Sequence, residues 1–164
     1  MQSHEVEIER GGLQLKALLS IPRDPDGVVL FAHGSGSGRF SPRNQFVAHI
    51  LNRVGISTLL ADLLTNDESE NRSNVFDIDL LADRLSLLTD WIRNDGRFKD
   101  QKIGYFGAST GGGAALQAAA QNQGEVSAVV SRGGRPDLAG EYLRDVQTPT
   151  LLIVGGDDGP VIGM

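Results

Sequence analysis

Ser109 is the residue around which a chemistry can be assembled. It lies in Gly107-Ala108-Ser109-Thr110-Gly111, directly after the apolar run Ile103–Phe106 and directly before the Ala-rich segment Ala114–Ala120. A strand, a serine flanked by glycines two positions away on each side, then a helix is the context of a nucleophile elbow. The turn is so sharp that the serine must take a strained backbone conformation, and only small residues at the flanking positions avoid a clash. Its hydroxyl then stands at the mouth of a sheet, at a helix N-terminus whose dipole favours developing negative charge. Such a serine would attack an acyl carbon, and it needs a base to take its proton.

An acyl-transfer site also needs backbone N–H groups aimed at the oxyanion. Thr110, next to the serine, would supply one. The other is expected from Phe31-Ala32-His33-Gly34-Ser35-Gly36, a glycine-rich loop after an earlier apolar run, with Ser35 as the chosen donor. His33 is read as holding this loop in place, and as a candidate for substrate contact rather than as the base. The plain alternative is a glycine-rich turn with no ligand. A dinucleotide site is a rival reading, since Gly34-Ser35-Gly36-Ser37-Gly38 follows a strand and Asp62 ends the next one. The G-x-G-x-x-G spacing fails, because Arg39 or Ser41 stands where the third glycine belongs. An acid able to orient a histidine is expected after the apolar run Thr150–Val154, at Asp157 or Asp158. Arg132 and Arg135 could reach a substrate carboxylate or pair with an acid, and Arg39 and Arg43 carry the same ambiguity.

The elements that must position these residues are legible as alternating apolar strands and amphipathic helices. Val6–Glu9 and Leu13–Ile21 read as a hairpin across Gly11-Gly12. Val28–Ala32 is a short continuous apolar run, as in a strand buried on both faces. Arg43–Val54 has helical spacing, with Phe46, Val47, Ile50, Leu51 and Val54 expected on one inward stripe. Ile56–Ala61 is a strand; Thr65–Asn74 is polar and reads as a surface loop; Ile78–Arg93 is a long helix with Leu81, Leu85, Leu88 and Ile92 inward. Strand Ile103–Phe106, helix Ser109–Gln121, strand Ser127–Val130, a short helix near Leu138–Arg144 and strand Thr150–Val154 follow. The pattern predicts a single domain over residues 1–164, with a mainly parallel sheet covered on both sides and an antiparallel hairpin at one edge. The distinctive residues collect at the carboxyl ends of the strands, where such sheets bind ligands.

A net charge of −6 with scattered basic residues argues against nucleic acid or an anionic membrane as the main partner. The absence of cysteine excludes a thiolate metal site and a cysteine nucleophile, and fits a cytoplasmic location. The sequence has no apolar run approaching the length of a membrane span.

The segments FAHGSGSGRFSPRN at 31–44, IGYFGASTGGGAAL at 103–116, VVSRGGRPDLAG at 129–140 and TLLIVGGDDGPV at 150–161 make the chain resemble the α/β-hydrolase superfamily. RGGRPDLAG narrows the resemblance to dienelactone hydrolase-like proteins with a serine nucleophile. The resemblance implies cleavage of an ester, thioester or lactone through an acyl-serine intermediate, with a small-molecule acyl substrate and without a metal or organic cofactor. Similar sequences carry the acid in a G-x-x-D-x-x-V pattern, which selects Gly155, Asp158 and Val161. They also run serine, acid, histidine in chain order, yet only six residues follow Asp158. His4, His33 and His49 are poor substitutes. The C-terminal strand and helix of the fold and the histidine segment are therefore expected to be missing. Three explanations stay open: a truncated product of a longer hydrolase, a natural short form completed by a second chain, or a catalytically impaired scaffold that serves binding. The sheet edge at Thr150–Val154 would then be exposed and invite homo-oligomers.

Overall fold

A computed structural model describes residues 3–164. Among the described residues one seven-stranded sheet runs β1 (His4–Arg10), β2 (Leu13–Ser20), β4 (Ile56–Ala61), β3 (Gly27–Ala32), β5 (Lys102–Ala108), β6 (Val126–Arg132) and β7 (Thr150–Ile153). β1 pairs antiparallel with β2 and β2 with β4; all other pairs are parallel. The chain steps from β3 outward to β4, then crosses back over β3 to β5 and continues the other way. The strand order therefore reverses between β3 and β5, whose ends Ala32 and Gly107 are in register. That crevice is where a sheet of this kind opens to a ligand.

One face of the sheet is closed by α4 (Ile78–Asn94) and α5 (Thr110–Gln121). α4 turns Leu81, Leu85, Leu88 and Ile92 inward as the spacing predicts, against Leu30, Leu59, Ile103 and Tyr105. A buried polar link fastens this face. The Thr89 hydroxyl donates to the Leu85 carbonyl and lies 2.6 Å from the Tyr105 hydroxyl, which can donate to it in turn. Burial pushes the Tyr105 phenol up to about 12, so it remains a neutral donor across the physiological range. α5 fits closely because its first turn is glycine. A Cβ on Gly112 would stand 2.6 Å from Ser131 Oγ, and one on Gly113 would stand 2.8 Å from the Arg135 carbonyl oxygen.

The opposite face is covered by α1 (Pro42–Arg53), and here the structure corrects the expected stripe. Asn44, Ala48 and Asn52 face the sheet with Val47 and Leu51 half-buried, whereas Phe46, Ile50 and Val54 are 66%, 45% and 64% exposed. The helix is rotated because Asn52 is anchored: its amide donates to the Ile56 carbonyl at 2.9 Å and to Thr58 Oγ1 at 3.0 Å. Small Ala48 then packs in the cluster with Phe31, Leu60 and Phe106. The polar segment 65–74 is also not a plain loop. Thr65 and Glu68 form a capping box that starts α2 (Asn66–Glu70), and Asn71 caps α3 (Arg72–Val75).

At the far edge, all four residues of β7 are exposed, with Leu151, Leu152 and Ile153 at 56%, 51% and 46%. A short helix, α6 (Gly159–Ile162), follows. No helix among the described residues is long and apolar enough to cross a membrane.

Candidate active site at the strand ends

Ser109 joins β5 to α5 with φ 54° and ψ −125°. Asp24 is the only other described non-glycine residue with positive φ, a conformation that costs an L-residue of order 1–3 kcal/mol. The neighbouring glycines explain why the chain can pass here. A Cβ on Gly107 would lie 2.6 Å from Gly112 Cα, and one on Gly111 would lie 2.6 Å from the His33 carbonyl oxygen. The Ser109 carbonyl is held twice, accepting the Gly112 N–H at 2.9 Å and the Arg135 N–H at 3.0 Å. Its side chain makes no capping bond to α5, and the residue is exposed.

The His33–Gly38 loop leaves the end of β3 beside it, and a Cβ on Gly34 would come within 3.1 Å of Ser109 Cβ. His33 is buried with both ring nitrogens occupied. The Leu63 N–H donates to Nε2 at 3.0 Å, so Nδ1 carries the proton and donates to the Gly34 carbonyl at 2.9 Å. Burial lowers its pKa, opposed by the Gly34 hydrogen bond and the charge of Asp62. The imidazole is a neutral, doubly engaged brace, which matches the bracing role read from the sequence. His4 lies on β1, and His49 lies on α1 in a groove over β2 and β4; both belong to the other half of the sheet.

Thr110 opens α5, is buried, and lines a cleft of about 290 Å³ together with Ser35, Ser37, Asp62, Asn66 and Ser69. Leu64, Val75 and Leu81 supply its apolar lining. α2 and α3, expected as loop, thus form part of the wall. Arg132 ends β6 opposite Ala108 and is half-buried, its Nε enclosed without a hydrogen-bond partner. Arg135 presents its backbone to Ser109, while its guanidinium pairs with Asp137 at 2.9 and 2.7 Å. Neither arginine lines the cleft, and Ser109 itself stands beside it rather than in its lining, next to Thr110 and Gly34. Asp158 is half-buried at the start of α6, its N–H donating to the Gly155 carbonyl at 3.0 Å, and Asp157 is exposed. The structure therefore brings Ser109, Thr110 and the Ser35 loop together, and sets Asp158 beyond the tip of β7, two strands along. The glycine run Gly111–Gly113 was the signal in the sequence for the tight seat of α5 against Ser131 and Gly134.

A mixed sheet with this strand order, a serine elbow after the fifth strand and a glycine-rich loop after the third define an α/β hydrolase. The dienelactone hydrolase family model matches residues 15–163, and the chain belongs to that family. The crystal structure of a dienelactone hydrolase from Anabaena variabilis is 55% identical with a TM-score of 0.94, covering 99% of this chain and 77% of that one. An esterase from Pyrococcus furiosus shares the fold at 16% identity and a TM-score of 0.71, covering 96% and 75%. A Mycobacterium tuberculosis protein that carries the provisional name phosphoribosyl transferase is 53% identical over 162 residues, 99% of this chain. The chain spans 37% of the length of the curated relatives it matches.

Proposed function

We propose that this chain carries the nucleophile, oxyanion donors and acid of a serine hydrolase acting on a carboxylic ester, thioester or lactone. The observation that carries the reading is Ser109 at φ 54° between Gly107 and Gly111, exposed above the reversal of strand order. Ser109 Oγ would add to the acyl carbon as its proton passes to a base. The oxyanion would be received by the N–H groups of Thr110 and Ser35, and the C–O or C–S bond would break as the leaving group takes the proton from the base. Water, giving a proton to that base, would then release the acid and restore the Ser109 hydroxyl. Asp158 is assigned to orient the base. His33 is unsuited to that role, because both its nitrogens are engaged. We assign the base to a histidine outside the described residues, from a longer product or a second chain. The name phosphoribosyl transferase belongs to a relative of which 37% is matched, and the family of the matched part supports hydrolysis.

The cleft has both polar and apolar walls and the volume for a small acyl group, whose carbonyl we place between Ser35 and Thr110. The reading is tested with a fluorophosphonate probe and p-nitrophenyl acetate. Ser109 should be labelled and Ser109→Ala should not. Turnover by this chain alone should fall several orders of magnitude below that of a full triad, because only the oxyanion hole and binding remain, roughly 10³–10⁴-fold over water. Because the missing base also slows phosphonylation, labelling is read with imidazole added as a surrogate base, and its absence in the wild type under those conditions would favour a binding scaffold instead.

A further inference from the structure

We infer that Asp62 and Arg39 are positioning residues that hold the oxyanion loop in its working shape; the catalytic consequence rests on the hydrolase reading above. The segment between His33 and Arg39 is Gly-Ser-Gly-Ser-Gly, the composition of a flexible linker. An oxyanion donor is effective only when its dipole is fixed before the charge develops. The loop's own restraint is slight. The Gly34 carbonyl accepts the Ser37 N–H at 3.2 Å and His33 Nδ1–H at 2.9 Å, and the Gly38 carbonyl accepts the Ser41 N–H at 3.0 Å, but no bond among the described residues holds the Ser35 or Gly36 N–H.

Two consecutive residues after β4 supply what is lacking. Leu63 holds the beginning of the loop through its N–H to His33 Nε2. Asp62 holds the end: Oδ1 accepts the Arg39 backbone N–H at 2.6 Å, and Oδ2 pairs with the Arg39 guanidinium. The carboxylate reaches the backbone because the intervening residue is glycine, since a Cβ on Gly38 would stand 2.6 Å from Oδ1. Asp62 is itself fixed, its N–H donating to the Lys16 carbonyl at 2.9 Å on β2. The guanidinium is held on two further sides, by Glu5 Oε1 at 2.7 Å and by the Phe40 ring, whose centroid is 4.2 Å away. The Arg39 and Asp62 side chains are only 14% and 23% exposed, whereas Glu5 is 61% exposed. The central link is therefore shielded from solvent and the outer one is not. Ser35 is suspended between two clamps of one rigid strand end, and Asp62 also lines the cleft that Ser35 and Thr110 share.

Amide hydrogen exchange resolved by NMR, with the rate of Ser109 phosphonylation, tests this on the purified chain. Asp62→Ala removes both acceptors; Asp62→Asn keeps an oxygen for the Arg39 N–H but loses the charge. Exchange of the Ser37 N–H, which is bonded to the Gly34 carbonyl, should quicken about tenfold in Asp62→Ala and less in Asp62→Asn. Phosphonylation should slow in the same order, with about 10²-fold, the loss of one oxyanion donor, as its limit. Amides of β3 and β5 should stay protected. Unchanged exchange at Ser37 in Asp62→Ala would overturn the inference, as would an equal rise across β3 and β5, the mark of general destabilisation. Should Asp62→Ala fail to fold, Arg39→Lys, which keeps the backbone N–H and the charge but not the forked contacts, decides by the same criteria. If the wild type is not phosphonylated even with imidazole added as a surrogate base, the hydrolase reading fails while the exchange measurement still decides the clamp.

Discussion

At His33 a side chain that could serve as a base is committed to structure by two neighbours. The Leu63 N–H can only donate, which fixes the tautomer and leaves Nδ1–H for the Gly34 carbonyl. Burial disfavours the charged ring, against the opposing pull of the Gly34 hydrogen bond and the Asp62 charge, and so its folded pKa lies below the ordinary 6.5. The unfolded chain then binds a proton that the folded chain refuses, and stability falls as pH drops below about 6.5. Urea midpoints at roughly pH 7.5 and 5.5 should show this loss, and the difference should shrink in His33→Gln. An equal loss in the variant would show that other groups govern the acid limb. The sequence conveyed the bracing role of His33, because a histidine leading a glycine loop has few other uses. It did not convey Asp62 and Arg39 as a pair, since their 23-residue separation in sequence is closed only by the parallel register of β3 and β4.

Among the elements, strands and α4 were readable because continuous apolar runs and a clean 3.6-residue stripe each have one way to bury themselves. α1 was misread for a specific reason. Its largest apolar residues share a face, but Asn52 makes two bonds at the end of the helix and turns Ala48 to the sheet. Accordingly, Phe46→Ser should change stability by no more than about 0.5 kcal/mol. Ala48→Phe should cost about 1–3 kcal/mol through overpacking. Chemical denaturation of both variants checks this, and the reverse ranking would restore the stripe read from the sequence. α2 and α3 were hidden because a capping box in so polar a segment carries no periodic apolar signal, although Thr65 and Glu68 were visible at the right spacing.

For the whole molecule, the asymmetry between the sheet's two edges matters most. β1 and β2 close one side with alternating charge, Glu5, Glu7 and Glu9 on β1 being exposed. β7 presents unpaired backbone and three large apolar side chains about half exposed. Such an edge is a template for another strand. We propose that a second copy pairs along it, burying Leu151, Leu152 and Ile153. Light scattering should then give a mass above the monomer that rises with concentration, and Leu152→Lys should return it to the monomer. A concentration-independent monomer mass in the wild type would dispose of the proposal.

The backbone at Ser109 has one more implication, which concerns selection. A positive φ at this turn would be relieved by glycine, the one residue that adopts it without steric penalty. A polypeptide optimised for persistence alone has reason to place glycine there. On the hydrolase reading proposed above, keeping a hydroxyl on the strained residue would trade folding stability for reactivity, as at sites maintained for what they do rather than for what they hold together.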